Sequence, residues 1–264
     1  MPRRPVAGHS TPRVAQTVSD QRLKIVAAPL GTWEFLAAPD KASQNPSMID
    51  LRAVDRGAVH ATFTEAFADY AMTSAGLTEE RLLLRMEKNA IAYDVSVGAY
   101  DDGRMVGFTL IGVDSWGGAV TAYDAGTGIV PAFRGQGLAR RMFDRALPAL
   151  RDRGVERFSL EVLQQNQPAI RAYKKSGFEI TRELRSYVAD AAILSPSATS
   201  AASTWDVRPI DARTFAPVAQ DADWLPSFEN RFSAVKRIPN DVILTGVFDG
   251  GRCVGVAAYS PPLR

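Results

Sequence analysis

Between Ala119 and Leu150 the chain passes from a β-rich run through a glycine-rich turn into an amphipathic helix, and this passage narrows the choice of fold more than any other stretch. The turn lies in Gly126-Thr-Gly-Ile-Val-Pro-Ala-Phe-Arg-Gly-Gln-Gly-Leu-Ala139. Its first residues read as the end of a strand and its last as the start of a helix near Leu138. The backbone N–H groups from Arg134 to Ala139 therefore lack partners within a helix or a ladder, and such a turn binds anions. Gly135 and Gly137 remove side chains where a phosphate must approach the main chain, and the helix adds the positive end of its dipole. The expected ligand is a diphosphate. A glycine-rich turn before a helix also serves as a plain tight connection, so the turn alone does not decide. Its spacing is neither the dinucleotide fingerprint nor the Walker loop, which needs a Gly-Lys-Ser/Thr ending.

A second segment follows with its own spacing: Leu160-Glu161-Val162, then Asn166, Ala169, Tyr173 and Gly177-Phe178. Taken in order, Arg134-x-x-Gly137-x-Ala139 and Asn-x-x-Ala-x-x-x-Tyr-x-x-x-Gly-Phe resemble the two acetyl-CoA motifs of the GCN5-related N-acetyltransferases, the GNAT family. The resemblance covers residues 48–188. It implies an α/β fold, a mixed sheet with helices on both faces, and acetyl-CoA as cosubstrate without a metal.

The resemblance also assigns roles. The backbone of Arg134, Gly135, Gln136, Gly137, Leu138 and Ala139 would hold the pyrophosphate. The strand end Gly128-Ile129-Val130 would splay from its neighbour, pair with the pantetheine arm and polarise the thioester as a main-chain oxyanion hole. Asn166 would fix the pantetheine arm, although helix capping is the commonest use of such a residue. Tyr173 stands where the family places the proton donor to the departing thiolate; its alternative is core packing with a satisfied hydroxyl. The base is open between Glu161 and Asp124, either acting directly or through water. Glu161 precedes Tyr173 by the same separation as base and acid in a bacterial ribosomal-protein N-terminal acetyltransferase of the family. A carboxylate in an apolar strand is costly without a partner or a task, and burial suits it to base work. Tyr70, Met72, Thr73 and Ser74 would border the acceptor slot, or are ordinary loop residues. The implied reaction moves acetyl to an amine of a small molecule or peptide by direct attack in a ternary complex; the alternative is a non-catalytic acetyl-CoA-binding module.

Composition excludes several other classes. A net charge of +2 over 264 residues calls for neither nucleic acid nor an anionic membrane. The arginines of the helix after the turn (Arg140, Arg141, Arg145, Arg151, Arg153) read as a solvated face. The single cysteine, Cys253, excludes an intrachain disulfide, and with only His9 and His60 beside it no metal is expected. No apolar run approaches the ~18 residues of a membrane span, so a cytoplasmic protein is expected. Residues 1–47 are polar and proline-punctuated at the start, and read as a disordered or poorly ordered extension; Glu34 argues against a secretory signal.

From Met48 the order is strand, two helices, three strands, helix, strand, helix, strand. Asp55 and Thr78 are the N-cap residues of the first two helices, Asp101-Asp102-Gly103-Arg104 is a hairpin turn, and a closing strand after Val188 would fall on Ala191-Ala192-Ile193-Leu194. Residues 191–204 have a linker composition. Beyond them the chain repeats itself: Trp205-Asp206-Val207-Arg208-Pro209-Ile210-Asp211 echoes Ile49-Asp50-Leu51-Arg52-Ala53-Val54-Asp55, and the hairpin at Asp249-Gly250-Gly251 echoes that at Asp101-Asp102-Gly103. Residues 205–264 thus resemble the start of a second GNAT domain, as in tandem enzymes of the mycothiol synthase type, without its cofactor half. Its last strand would be an open edge, which invites pairing with the first domain or with another copy to make a homodimer.

Overall fold

The computed structural model of the chain describes residues 19–29, 49–69, 77–188, 205–221 and 224–260. The first unit contains the strands β1 (Ser19–Pro29), β2 (Asp50–Ala53), β3 (Val97–Asp101), β4 (Arg104–Trp116), β5 (Ala119–Ile129), β6 (Arg157–Leu163) and β7 (Glu179–Val188). Its helices are α1 (Arg56–Ala66), α2 (Glu79–Lys88), α3 (Leu138–Asp152) and α4 (Gln167–Lys175). The strands form one mixed sheet in the order β2-β3-β4-β5-β6-β1-β7.

Local chemistry sets the helix starts. Asp55 accepts the Gly57 N–H at 2.9 Å, Thr78 that of Arg81 at 3.2 Å and Asn166 that of Ala169 at 3.2 Å, so each orphan first turn gains a side-chain partner. In α1, Val59 and Phe63 turn inward, and the Phe63 ring stacks on Phe108 of β4 at 5.7 Å. In α3, Leu138, Met142, Phe143, Ala146, Leu147 and Leu150 are buried along one stripe. Phe143 meets Phe158 of β6 edge-on at 5.5 Å. Because side chains alternate across a sheet, these contacts put α1 and α2 on one face and α3 and α4 on the other.

The feature that positions the site is where β5 and β6 part. Their parallel pairing runs only from Thr121 and Arg157 to Asp124 and Leu160. At that same place the register of β5 against β4 slips, with Asp124 opposite Ile111 and Gly126 opposite Leu110, which leaves Ala125 as a bulge residue. The buried Asp124 carboxylate pins the bulge: it accepts the Gly126 N–H at 3.0 Å and the Thr127 hydroxyl at 2.9 Å. Beyond Asp124 the two strands diverge, and the opening between them faces the ends of α3 and α4.

One expectation needs correction. The leader over residues 1–47 is not without regular structure, because Ser19–Pro29 forms β1, antiparallel to both β6 and β7. Its apolar residues, Leu23 and then Ile25 to Pro29, carry no clear strand alternation. Pairing decides it: β6 and β7 each present backbone groups to the gap between them. β1 thus gives β7 the partner for which the sequence offered only Ala191-Ala192-Ile193-Leu194, which lie outside the described residues.

The second unit consists of β8 (Asp206–Pro209), α5 (Ala212–Gln220), α6 (Phe232–Arg237), β9 (Ile243–Asp249) and β10 (Arg252–Tyr259), with a sheet ordered β10-β9-β8. Its registers follow those of the first unit. Asp206 faces Phe248 and Arg208 faces Gly246, as Asp50 faces Tyr100 and Arg52 faces Gly98. Arg52 lies over the Tyr100 ring at 4.0 Å and Arg208 over the Phe248 ring at 4.1 Å. Asp211 caps α5 as Asp55 caps α1. The unit packs on the first domain through Asp114 of β4, whose Oδ2 accepts from Arg231 at 2.7 Å, Ser233 at 2.7 Å and Arg237 at 2.8 Å.

Candidate active site

A cleft of about 770 Å³ opens where β5 and β6 separate. Its walls are the end of β5 (Thr127, Gly128, Ile129), the turn before α3 (Arg134, Gly135, Gly137) and the inner side of α4, including Asn166, Ala169 and Tyr173. The α1 end contributes Ala66, Phe67 and Asp69. Gly135 and Gly137 have φ of +76° and +71°, conformations that a side chain resists. They turn the backbone so that the first turn of α3, capped by Gly137 without a side-chain acceptor, presents its N–H groups at one end of the cleft.

The Arg134 side chain has a structural task. Its guanidinium grips both oxygens of Asp69 at 2.6 and 2.7 Å and donates to the carbonyls of Ala66 at 2.9 Å and Ile129 at 3.1 Å. It thereby ties the end of α1 to the end of β5 across the cleft mouth. Its own N–H donates to Pro131 O at 3.3 Å, so the donors of the turn begin at Gly135.

At the inner end, the Tyr173 hydroxyl donates to Asp124 Oδ2 at 3.3 Å. The Tyr173 ring packs against Phe143 and Phe178, with centroids 6.4 and 5.6 Å away. Burial pushes the Asp124 carboxyl up to about 6, against the pull of Thr127, Gly126 and Tyr173. Asp124 thus combines a structural duty at the bulge with a proton affinity near neutrality.

Glu161 occupies the other sheet face. Asp124 pairs with Leu160, so the next residue of β6 points away from it, beside Tyr123. Burial pushes the Glu161 carboxyl up to about 7, and the Glu229 charge adds to the shift. Its Oε1 is buried and has no hydrogen-bond partner.

The structure gathers most of the expected residues around the cleft but separates some. Val130 is buried, with its N–H bound to Val106 O, and Leu138 is part of the core. Neither lines the cleft, and Gln136 is exposed beside it. Tyr70, Met72, Thr73 and Ser74 lie outside the described residues. Asn166 caps α4 and also lines the cleft. Sequence reasoning missed Asp69, and it missed Ser227, Phe228 and Glu229 of the second unit, which cover the Glu161 face. No local motif marks these residues; only the fold brings them there. Among the described residues, no group of three or more His, Cys, Asp or Glu is placed to hold a metal ion, and no helix is long and apolar enough to cross a membrane.

Comparison with known proteins points the same way. The model of the acetyltransferase (GNAT) family matches residues 59–178. Streptothricin acetyltransferase of Streptomyces lavendulae is 37% identical over 84 residues, 32% of this chain and 42% of that protein. Mycothiol acetyltransferase of Thermobifida fusca is 32% identical over 162 residues, 58% of this chain and 50% of that protein. The chain thus spans about half the length of these curated relatives. A solved structure described as a GCN5-related glucosamine N-acetyltransferase region of a fungal multi-domain GH3 β-N-acetylglucosaminidase superposes with a TM-score of 0.57 at 14% identity, covering 83% of this chain and 29% of that one; that likeness is of fold. The splayed strands, the glycine turn and the Asn166 to Phe178 segment fall inside or beside the stretch that matches the acetyltransferase (GNAT) family.

Proposed function

We propose that the chain is an acetyl-CoA-dependent N-acetyltransferase, moving acetyl to the amine of a small molecule or peptide within a ternary complex. The observation that carries this reading is the cleft itself, with an anion-binding turn at one end and the Tyr173–Asp124 pair at the other, set where two strands part. The pyrophosphate of acetyl-CoA sits on the N–H groups from Gly135 to Ala139. Asn166 and the end of β5 hold the pantetheine arm, and β5 backbone N–H groups receive the charge that develops on the thioester oxygen.

In the reaction the amine lone pair forms a bond to the carbonyl carbon, the C–S bond breaks and the thiolate takes the Tyr173 hydroxyl proton. The new ammonium loses its proton to Glu161, directly or through water. With its carboxyl at about 7, Glu161 is substantially ionised at neutral pH and still basic enough to accept a proton. Asp124 is the second candidate, favoured by its hydrogen bond to Tyr173. A cytoplasmic location goes with this reading.

The test is thiol release from acetyl-CoA in the presence of primary amines, aminosugars and peptides, with calorimetry for acetyl-CoA binding. One acetyl-CoA per chain and amine-dependent thiol release are expected. Tight binding without release for any amine would favour the alternative, a ligand-sensing module.

A further inference from the structure

The sheet face that carries Glu161 is closed by the second unit. Ser227 and Phe228 are 6% and 1% exposed. The Phe228 ring lies flat on Tyr123, with centroids 4.5 Å apart and planes 12° from parallel, and Trp116 Nε1 donates to Pro226 O at 2.9 Å. These contacts hold Glu229 over the patch beside Glu161. Its Oε1 accepts from Arg85 at 2.9 Å, Asn89 at 3.3 Å and the Tyr123 hydroxyl at 3.4 Å. The Ser227 hydroxyl, near Glu161 of β6, pulls that carboxyl down against the effect of burial, while Glu161 Oε1 has no hydrogen-bond partner.

A buried carboxylate oxygen without a donor is costly, and at this position it marks a place for an N–H group that the domain itself does not supply. We propose that the segment from Ser227 to Glu229 is a wall of the acceptor pocket, and that Glu229 is a positioning residue for acetyl transfer that acts on the acceptor amine through Glu161. The inference rests on the reading of Glu161 as the base.

The charged and titratable groups facing Glu161 can be named element by element. Arg85 and Lys88 come from α2, Tyr123 from β5, Arg182 from β7 and Glu229 from the second unit. Burial alone would raise the Glu229 carboxyl, but Arg85, Lys88 and Asn89 together outweigh it and hold the group ionised. The standing negative charge then makes the neighbouring Glu161 a stronger base, although Arg85 and Arg182 pull the other way. An amine N–H arriving at the orphan oxygen gives it the donor it lacks. The second unit is, in this view, part of the transfer site although it holds none of the acetyl-CoA motifs.

The experiment compares the full chain with Glu229→Gln. The Glu161 carboxyl is followed by carbon-13 NMR, identified by its loss in Glu161→Gln, and n-propylammonium serves as the amine probe. Glu229→Gln should lower the titration midpoint of Glu161 by about one unit or more, weaken the response to n-propylammonium at least several-fold and shift the acid limb of kcat/KM to lower pH. Acetyl-CoA affinity should be unchanged, and Asp249→Asn, at the hairpin tip of the same unit, should move none of these. Ser227→Ala is the second variant, for the case that Glu229→Gln releases the segment from Tyr123. It removes a hydroxyl that favours the ionised carboxylate and should shift Glu161 in the opposite direction, upward. If neither variant moves the Glu161 titration, or if the carboxyl moves while the acid limb stays in place, the proposal is wrong. A parent chain that binds no acetyl-CoA would instead sink the transferase reading beneath it, with the titration shifts intact.

Discussion

Removing the Asp114 carboxylate should release the second unit from the sheet. One oxygen, Oδ2, accepts from Arg231, Ser233 and Arg237. The Arg231 side chain is 5% exposed, and its guanidinium also lies over the Phe228 ring at 3.6 Å. Asp114→Ala therefore strands a buried guanidinium, and breaking one side of such a pair typically costs about 3–5 kcal/mol. The Arg237 contact, with its guanidinium partly in solvent, adds about 1 kcal/mol or less. We expect a loss of about 3 kcal/mol in urea unfolding at pH 7, followed by tryptophan fluorescence. Arg231→Met should cost less, and the double variant much less than the sum, since the second change removes the stranded charge. The acid dependence has a fixed sign. Burial would raise the Asp114 carboxyl, but its three donors outweigh that and hold it well below the usual carboxylate range. The contribution is thus fully present above the unfolded value near 4 and is lost as the pH falls through the lower folded value. A loss under ~1 kcal/mol at pH 7, or single effects that add to within ~0.5 kcal/mol, would refute the lock.

Gly137→Val should abolish the thermal stabilisation by acetyl-CoA, about 2.7 kcal/mol at 100 times the dissociation constant in the parent; equal affinity by calorimetry would remove the turn from the binding site. Tyr173→Phe should lower turnover roughly 10- to 1,000-fold with little change in acetyl-CoA affinity, and unchanged turnover at neutral pH would take Tyr173 out of the mechanism. Glu161→Gln should be near neutral for stability at pH 4 and stabilising by on the order of 3 kcal/mol at pH 8. The folded carboxyl keeps its proton up to about 7, so its stabilising contribution is present below the unfolded value and disappears as pH rises through 7. A pH-independent difference in melting curves would contradict that. Phe228→Ala, which empties the stack on Tyr123, should cost about 3–5 kcal/mol, and a loss below ~1 kcal/mol would mean that the ring is not buried in solution.

What the sequence made legible was whatever local chemistry decides. Asp55, Thr78 and Asn166 mark helix starts because a side-chain oxygen there meets an orphan N–H a few residues on, and α4 spans Gln167–Lys175 as its spacing implies. The turn at Asp102-Gly103 is legible because both residues adopt positive φ. The glycine turn and Tyr173 could be joined into one cleft only through resemblance to a family, since their separation in sequence says nothing of their distance in space. Less visible were contacts between remote segments. The Arg134 side chain spends its donors on Asp69 rather than facing a ligand, Asp124 serves the bulge as well as Tyr173, and Glu229 reaches Arg85 from the far end of the chain. None of these leaves a periodic or compositional trace. β1 is the clearest case, because its strand character comes from the gap it fills.

That strand also sets the order in which the molecule can be completed. Ser19 pairs with Val188 and Ala27 with Glu179, so a segment made about 150 residues earlier finds its second partner only when β7 has left the ribosome. At 5–20 residues per second the wait is roughly 10–30 s. During that time β1 has neither neighbour until β6 emerges, and afterwards it has only one. The seven-stranded sheet therefore closes late, between an early and a late part of the chain, and a nascent chain stalled before Glu179 holds an open strand edge that other chains can capture.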